Sequence, residues 1–349
     1  MNIKELYTEL MQIKQDKVAN DSARVMFTTW SEAKGKISES LQRELIMRDE
    51  IKDDAVAGII ASGKPELLEQ DGKSTFVETF YPQERLILLG AGHIALPLAQ
   101  VGEMLGFSVV VVDDRISFAN EQRFPWASEV KCESFDSVFD GLQITQGDYI
   151  VVITRGHKHD TKCLRAILSQ PESIYVGMIG SRKRVGLVKE QLVEEGYDKA
   201  RIERVCTPIG LSIGAVTPEE ISISILAEVI KRKRVDSKQN YEISRSNLDM
   251  EVVEKLTQYE SQSCCVVTII DTKGSVPRGG GAKMVVNQAG QVEGSIGGGC
   301  SEAAVIHEAV RLIGTGEYRI KEIDMTGEVA EDEGMVCGGI MKVLMEDFQ

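Results

Sequence analysis

Short apolar runs and helix-like segments alternate through the middle of the chain. The apolar runs between residues 85 and 180 are RLILLGAG, FSVVVVDD, YIVVITRG and SIYVGMIG, and the segments between them include HIALPLAQVGEMLG and TKCLRAIL. Short buried strands that alternate with helices predict a parallel, doubly wound sheet. The sequence EEISISILAEVIKRKR predicts a helix that closes this region.

The two ends of the chain share a simpler pattern, a helix followed by a strand. A helix is predicted over residues 3–16, where four apolar residues share one face: Ile3, Leu6, Leu10 and Ile13. The strand ARVMFTTW follows it, and residues 250–270 repeat the order with the buried strand CCVVTIID. Because neither pair of elements buries enough apolar surface alone, we expect the N-terminal segment to pack against residues 250–349.

The predicted fold class is therefore α/β, with a Rossmann-like parallel-sheet domain and a smaller α+β domain. We expect an N-terminal segment of the smaller domain at residues 1–80, the Rossmann-like domain at 81–235, a linker at 236–249 and the rest of the smaller domain at 250–349. Residues 31–79 are charged and give no clear pattern, apart from a strand within DGKSTFVETFYPQE.

Composition and charge narrow the classes of function. No apolar run approaches the ~20 residues that span a bilayer, and the first residues lack the apolar core of a signal peptide. The net charge of -14 argues against nonspecific nucleic-acid binding. We therefore expect a cytoplasmic protein with neither a membrane nor a nucleic acid as a partner.

The seven cysteines are irregularly spaced and include no CxxC pair. A cytosolic chain keeps such thiols reduced, and the absence of paired ligands argues against a structural zinc site. Most of these cysteines are expected to be small core residues.

A glycine pattern lies between the first strand of the predicted sheet and its helix. GAGHIA contains Gly90, Gly92 and His93, and Asp113 ends the second strand about 20 residues later. This pattern predicts binding of a nucleotide or another phosphorylated ligand and leaves NAD(P) open; the alternative is a tight turn only. Arg115 would favour a 2'-phosphate, whereas Asp113 and Asp114 beside it argue against one.

Two further loops follow strands of this sheet. TRGHKHD contains His157, His159 and Asp160, but the chain has only four histidines, so ligand contact or loop structure is favoured over a metal site. GMIGSRKR places Gly180, Ser181 and Arg182 at a predicted helix start, which suits a phosphate. The alternative is a solvated helix start. All three loops are expected at one edge of the sheet.

Glycine and cysteine meet in the C-terminal part. Three glycines (Gly297, Gly298 and Gly299) precede Cys300 at a predicted helix start, where a thiolate is stabilised. DTKGSVPRGGGAKMVV carries Arg278 in a glycine loop, and Cys337 precedes two more glycines. These motifs could converge on one anionic ligand that binds sulfur. The alternative is a small sheet with glycine at its bends, which is favoured for Cys337, whereas function is favoured for Cys300.

These stretches resemble the XdhC/CoxI family, the xanthine dehydrogenase accessory factors. The similar stretches in the C-terminal part are GSVPRGGGAKMVV, GSIGGGCSEAAVIHEA and VCGGIMKVLME. Those in the sheet domain are LGAGHIALPLA, VVVVDDR, RFPWA, GMIGSRKR and TPIGLSIGAVTPEEISISILAEVI. The resemblance covers roughly residues 82–235 and 250–349.

The resemblance implies a protein that binds molybdenum cofactor, aids its sulfuration and inserts it into a molybdenum hydroxylase such as xanthine dehydrogenase. It implies that Cys300 contacts molybdenum or its sulfido ligand, since a thiolate is a soft ligand. We expect the client hydroxylase, a cysteine desulfurase and a second copy of the chain as partners. A cofactor-binding chaperone is favoured over a catalyst.

The sequence also departs from the family. The family commonly places the Gly-Cys segment first, whereas here the sheet domain comes first, and a circular permutation would explain this order. The family often has histidine where Arg155 stands, so a shared role for that position is not expected. Two alternatives stay open: an NAD(P)-dependent oxidoreductase using Gly90, Gly92 and Asp113, with His157 as acid–base group, and a scaffold between a dehydrogenase and a sulfurtransferase.

Overall fold

The chain divides into two compact units. The computed structural model describes residues 3–15, 23–81, 83–145, 147–235, 248–258, 263–325 and 339–348. One unit, here called the composite unit, contains Met1–Pro82 together with Glu242–Gln349, and the parallel-sheet unit contains Gln83–Tyr241. Most of the predicted linker, residues 236–247, lies outside the described residues. No helix in the described part of the chain is long and apolar enough to cross a bilayer.

The N-terminal segment forms an antiparallel sheet with the strand order β3-β1-β5-β4. Its elements are α1 (Ile3–Gln15), β1 (Arg24–Trp30), β2 (Lys34–Lys36), α2 (Ile37–Ser40), β3 (Gln42–Met47), a 3-10 turn (Arg48–Glu50), α3 (Asp54–Ser62), β4 (Glu66–Gln70) and β5 (Lys73–Phe80). β3 and β4 contain only half-buried and exposed residues, which explains why their sequence shows no clear pattern.

The parallel-sheet unit has the strand order β10-β9-β6-β7-β8, with every pair parallel, and it confirms the predicted α/β fold class. The strands are β6 (Arg85–Leu89), β7 (Ser108–Asp113), β8 (Glu129–Cys132), β9 (Asp148–Val152) and β10 (Tyr175–Met178). β9 is wholly buried, as a central parallel strand should be, whereas no residue of the edge strand β8 is buried. The sequence analysis did not predict β8, because EVKC contains no apolar run.

In the described part of this unit, six helices connect or flank these strands. They are α4 (Ala95–Met104), α5 (Val138–Gly141), α6 (His157–Leu168), α7 (Arg182–Glu194), α8 (Lys199–Glu203) and α9 (Pro218–Arg234). α9 begins with a capping box in which Thr217 accepts from the Glu220 amide and the Glu220 carboxylate accepts from the Thr217 amide. A proline at the first helical position also favours this start.

The C-terminal segment forms a six-stranded antiparallel sheet with the order β13-β12-β11-β15-β14-β2. Its elements are α10 (Met250–Gln258), β11 (Cys264–Lys273), β12 (Lys283–Asn287), β13 (Val292–Gly294), α11 (Gly299–Leu312), β14 (Glu317–Asp324) and β15 (Ile340–Phe348). The edge strand β2 comes from the N-terminal segment and pairs with β14. The composite unit is therefore built from both ends of the chain.

Apolar packing and buried ion pairs join these two segments. Leu6, Tyr7 and Leu10 of α1 share one buried cluster with residues of α10, β11, β12 and β15. Lys283 Nζ lies 3.1 Å from Glu78 Oε1, and both side chains are almost fully buried. Burial raises the pKa of the Glu78 carboxyl even with Lys283 beside it. Removing one partner of such a pair leaves an unpaired buried group and costs roughly 3–5 kcal/mol.

Candidate functional site

Backbone contacts explain the first glycine of the turn after β6. Gly90 has φ +118°, and a Cβ there would lie 2.5 Å from the carbonyl oxygen of Ile153. Its amide donates to Val112 O at 2.7 Å, so the turn is held by both neighbouring strands. Gly92 has open space around its missing Cβ, and His93 is exposed. Only the second glycine leaves room for a group approaching from outside.

The carboxylate of Asp113, the predicted acceptor for ribose hydroxyls, already accepts hydrogen bonds from other groups of the same unit. Its side chain is 2% exposed, and it accepts from the amides of Ala91 (2.9 Å) and Arg115 (3.1 Å). The Arg115 guanidinium donates to both carboxylate oxygens, at 2.8 and 2.9 Å. Burial opposes ionisation, but these hydrogen bonds lower the pKa of Asp113 below its ordinary value. Four donors saturate a carboxylate, so the geometry does not fit a role in binding ribose hydroxyls.

An ion pair links the ends of the two strands that flank β6. Arg155, which follows β9, makes a bidentate ion pair with Asp114, which follows β7, at 2.5 and 2.9 Å. Hydrogen bonding to Arg155 lowers the pKa of Asp114. The Arg115 guanidinium also stacks 3.6 Å from the centre of the Phe118 ring. The guanidinium groups of Arg115 and Arg155 are thus already engaged within the unit.

The histidine segment is the first turn of a helix rather than a loop. α6 begins at His157, four residues before the start predicted for TKCLRAIL. His157 is exposed, and the His159 ring packs edge-on against Phe135 at 5.7 Å. Asp160 is fully buried, and it accepts from Thr154 Oγ1 at 2.5 Å and from Arg184. Burial raises the Asp160 pKa despite these partners.

Backbone capping explains the start of α7. Ser181 is its N-cap and accepts from the Arg184 amide, and Gly180 lies between β10 and this cap. Arg182 is the first helical residue. The Asp160–Arg184 contact joins the starts of α6 and α7. The prediction that GAGHIA, residues 154–160 and GMIGSRKR share one edge is confirmed, since all three follow parallel strands of one sheet.

In the composite unit, three consecutive glycines adopt positive φ before α11. Gly297, Gly298 and Gly299 have φ of +135°, +76° and +59°, which other residues rarely adopt. Cβ atoms at Gly298 and Gly299 would meet no atom of the described residues within 4 Å. Cys300 follows as the second residue of α11. Within the described residues, the turn therefore leaves space beside Gly298 and Gly299 where α11 begins.

Glu302 closes the inner side of this turn. Its Oε1 accepts from Ser295 Oγ at 2.7 Å, from the Ile296 amide at 3.2 Å and from the Gly298 amide at 2.9 Å. The sequence analysis did not predict this role. A glutamate four residues after a glycine N-cap is the only signal that the sequence gives. Its negative charge, in the first turn of α11, favours the start of that helix.

The other glycine motifs meet this turn through the loop between β11 and β12. A Cβ at Gly297 would lie 3.0 Å from Pro277, and one at Gly339 would lie 2.5 Å from the carbonyl oxygen of Ser275. Arg278, which is half-buried, is the next residue of this loop. The structure thus brings together the Arg278 loop, the Gly297 turn and Gly339. Cys337 lies outside the described residues.

Three other cysteines behave as core residues. Cys163, Cys264 and Cys265 are buried, and burial raises the pKa of each thiol, to about 12 for Cys264. Raised thiol pKa values make these cysteines poor nucleophiles and poor metal ligands near neutral pH.

A polar cavity of about 280 Å³ also lies in the composite unit. Its lining combines acids, lysines and two aliphatic residues: Leu67, Glu69, Asp271, Lys273, Glu322, Ile340 and Lys342. Three acids against two lysines offer no excess positive charge to a phosphate. Within the described ranges, no group of three His, Cys, Asp or Glu side chains is placed to hold a metal ion.

Two family models match the chain in the regions that contain these turns. The model described as the XdhC Rossmann domain matches residues 86–229. The model described as the XdhC and CoxI family matches residues 258–324. Together they cover more than half of the chain, and the Rossmann model comes first.

Three curated proteins are similar to parts of the chain. Escherichia coli YqeB is 34% identical over 46% of this chain and 29% of its own length. A Bacillus subtilis protein named as a probable xanthine dehydrogenase subunit is 34% identical over 46% of this chain and 46% of its own length. The E. coli molybdenum cofactor insertion chaperone PaoD is 39% identical over 21% of this chain and 23% of its own length. The chain thus matches less than half the length of each relative.

Proposed function

The chain belongs to the XdhC and CoxI family, and from this we propose that it binds molybdenum cofactor and helps to mature a molybdenum hydroxylase. The similarity to an insertion chaperone and to a protein named as a xanthine dehydrogenase subunit supports this role. In the proposal the protein holds the cofactor, aids its sulfuration and transfers it to a client such as xanthine dehydrogenase. A cysteine desulfurase would supply the sulfur.

The turn at Gly297–Gly299 carries the proposal. Among the described residues, Gly298 and Gly299 leave open space where a Cβ would stand, so their backbone can approach a ligand closely. Cys300 lies in the first turn of α11, where the helix dipole favours a thiolate. Molybdenum cofactor supplies a phosphate, a dithiolene and a thiophilic metal, and these groups suit such a turn.

The parallel-sheet unit is given no redox role in this proposal. Binding of NAD(P) would need a carboxylate that is able to accept from ribose hydroxyls. Asp113 already accepts from Ala91 and Arg115. A nucleotide would have to break those bonds before it could use this residue.

Replacing the cysteine at the turn tests the proposal. We expect Cys300→Ser to retain less than about a tenth of the molybdenum that the wild type retains after loading and gel filtration, because a hydroxyl is a hard ligand that stays protonated. Serine is nearly isosteric, so thermal melting should change little. Cys132→Ser, which changes an exposed cysteine of the parallel-sheet unit, is the matched control.

Each outcome has a definite meaning. Wild-type retention by Cys300→Ser would contradict the role of the thiolate. Equal losses in both variants would show that retention does not depend on this turn. A lower melting temperature with unchanged retention would make Cys300 a structural residue.

A further inference from the structure

Helix α9 carries an exposed stripe on the face opposite the core. Its inner face packs on the parallel-sheet unit through Ile225, Leu226 and Val229, and Ser222 Oγ donates to Ile94 O at 3.0 Å. On the outer face, Ile223 is 51% exposed and Ile230 is 40% exposed. Large aliphatic side chains exposed one above the other on a helix are unusual for a surface that stays in water.

The stripe is self-complementary: from the opposite end its apolar residues keep nearly the same positions, whereas its acidic and basic ends exchange places. Its residues follow helical spacing and run from acid through apolar to base: Glu219, Glu220, Ile223, Ala227, Ile230, Lys231 and Arg234. Ala227 lies at the centre, with an isoleucine four residues before it and another three residues after it. The acidic residues lie at the helix start, and the basic residues lie in the last turn.

We propose that α9 is a homodimer interface, in which two copies of the helix pack antiparallel about a two-fold axis at Ala227. In this arrangement Ile223 of each copy meets Ile230 of the other. The acidic start of each helix meets the basic end of its partner, and the two helix dipoles oppose each other. A small residue at the crossing point lets the helix axes approach closely.

Charge complementarity selects a second copy of this chain as the occupant. A partner with another sequence would need a helix face with basic, apolar and acidic residues in the order that matches this stripe. A second copy of α9, packed antiparallel, presents that order. Two-fold contacts use the same patch on both subunits, so self-complementarity is what such an interface requires. A helix of 17 residues is about 25 Å long, so the contact is small and a dissociation constant on the order of micromolar is expected.

Sedimentation velocity of the full chain from about 1 to 200 µM tests the interface. The wild type should pass from monomer to dimer within this range, and Ile223→Glu should stay monomeric because it places a carboxylate against the buried Ile230 of the other copy. Leu187→Glu changes an exposed leucine on α7 of the same unit and should leave the association unchanged. Circular dichroism melts check that the variants fold.

Charge reversal tests the orientation. Glu219→Lys and Arg234→Glu should each weaken the dimer about fivefold or more, because each places like charges opposite one another, and the double variant should regain most of the loss. Glu220 is left unchanged because it caps the helix.

A cysteine at the crossing point provides a direct readout. Under mild oxidation Ala227→Cys should form a disulfide with its own copy, identified by mass spectrometry as a peptide pair linked at residue 227. A chain that is monomeric throughout would overturn the proposal. So would a dimer that survives Ile223→Glu, or one that forms no 227–227 disulfide.

Discussion

Each of the two glycine-rich turns of this chain donates backbone hydrogen bonds to a carboxylate of its own unit. The two turns differ in the space that they leave for a ligand. In the parallel-sheet unit, Asp113 is 2% exposed, and Ala91 and Arg115 donate to both of its oxygens. In the composite unit, Glu302 is half-buried and accepts its three hydrogen bonds through Oε1. The first turn is closed by its own acid, whereas the second keeps open backbone at Gly298 and Gly299.

The comparison shows what a glycine pattern establishes and what it leaves undetermined. Gly90 is required by the backbone of Ile153, with no ligand involved. A Cβ at Gly298 or Gly299 would meet no atom of the described residues within 4 Å, so their positive φ is the restriction that these residues show. The same residue type thus serves chain packing in one unit and close approach from solvent in the other.

The largest effect is expected at Gly90. Alanine there would place Cβ 2.5 Å from Ile153 O at a strained φ, and should lower the free energy of unfolding of the parallel-sheet unit by about 3 kcal/mol or more. Gly92→Ala, with open space, should change it by less than about 1 kcal/mol. Urea denaturation of a Trp30→Phe background, read by Trp126, reports on this unit. Equal effects at both positions would contradict the packing role of Gly90.

Asp113→Asn should have an intermediate effect that depends on pH. The pKa of Asp113 is lower in the fold than its ordinary 3.8, so its ionised form stabilises the folded state above that pH. This stability is lost as pH falls through the folded-state pKa. We expect a loss of about 2 kcal/mol at neutral pH that shrinks below about pH 4.

Urea midpoints of the wild type and Asp113→Asn between about pH 3 and 7 measure this difference. Asp136→Asn, at an exposed site of the same unit, is the control. A difference in urea midpoint that stays constant with pH would contradict the conclusion that Asp113 is held in its ionised form by its neighbours. A wild type that binds NAD with micromolar affinity would contradict the conclusion that this turn is closed to a nucleotide.

The smallest effect on stability is expected at Glu302. Glu302→Gln weakens the bonds to Ser295, Ile296 and Gly298 and should cost about 1 kcal/mol. It also removes a negative charge near the start of α11, so the pKa of the Cys300 thiol should fall. Alkylation of Cys300 across a pH series, followed by peptide mass spectrometry, measures the shift. Glu308→Gln, later in the same helix, is the control, and an unchanged or raised pKa would contradict the account.

The sequence predicts elements well where burial is uniform. The continuous apolar runs of β6, β7, β9 and β10 identify the parallel sheet. β8 and β14 escape prediction because their few apolar residues alternate with charged ones. The early start of α6 was also missed, although Asp160 in its first turn suits a helix N-terminus.

The candidate site is predictable in its backbone but less so in its side-chain contacts. GGGC marks a turn and a helix start because only glycine adopts three consecutive positive φ values readily. The partners of Asp114, Asp160 and Glu302 depend on sheet order and side-chain conformation. Arg155 and Asp114 are 41 residues apart in sequence, and no local pattern connects them.

The molecules that this chain releases on denaturation test the proposed binding of molybdenum cofactor most directly. The full chain is purified from cells that make the cofactor and is then denatured, and the released molecules are identified by mass spectrometry alongside the molybdenum content. The account predicts a molybdopterin and molybdenum in comparable amounts, both lost in Cys300→Ser and kept in Cys132→Ser. Release of NAD(P) without a pterin, or of no pterin from a protein folded and expressed beside its client, would contradict it.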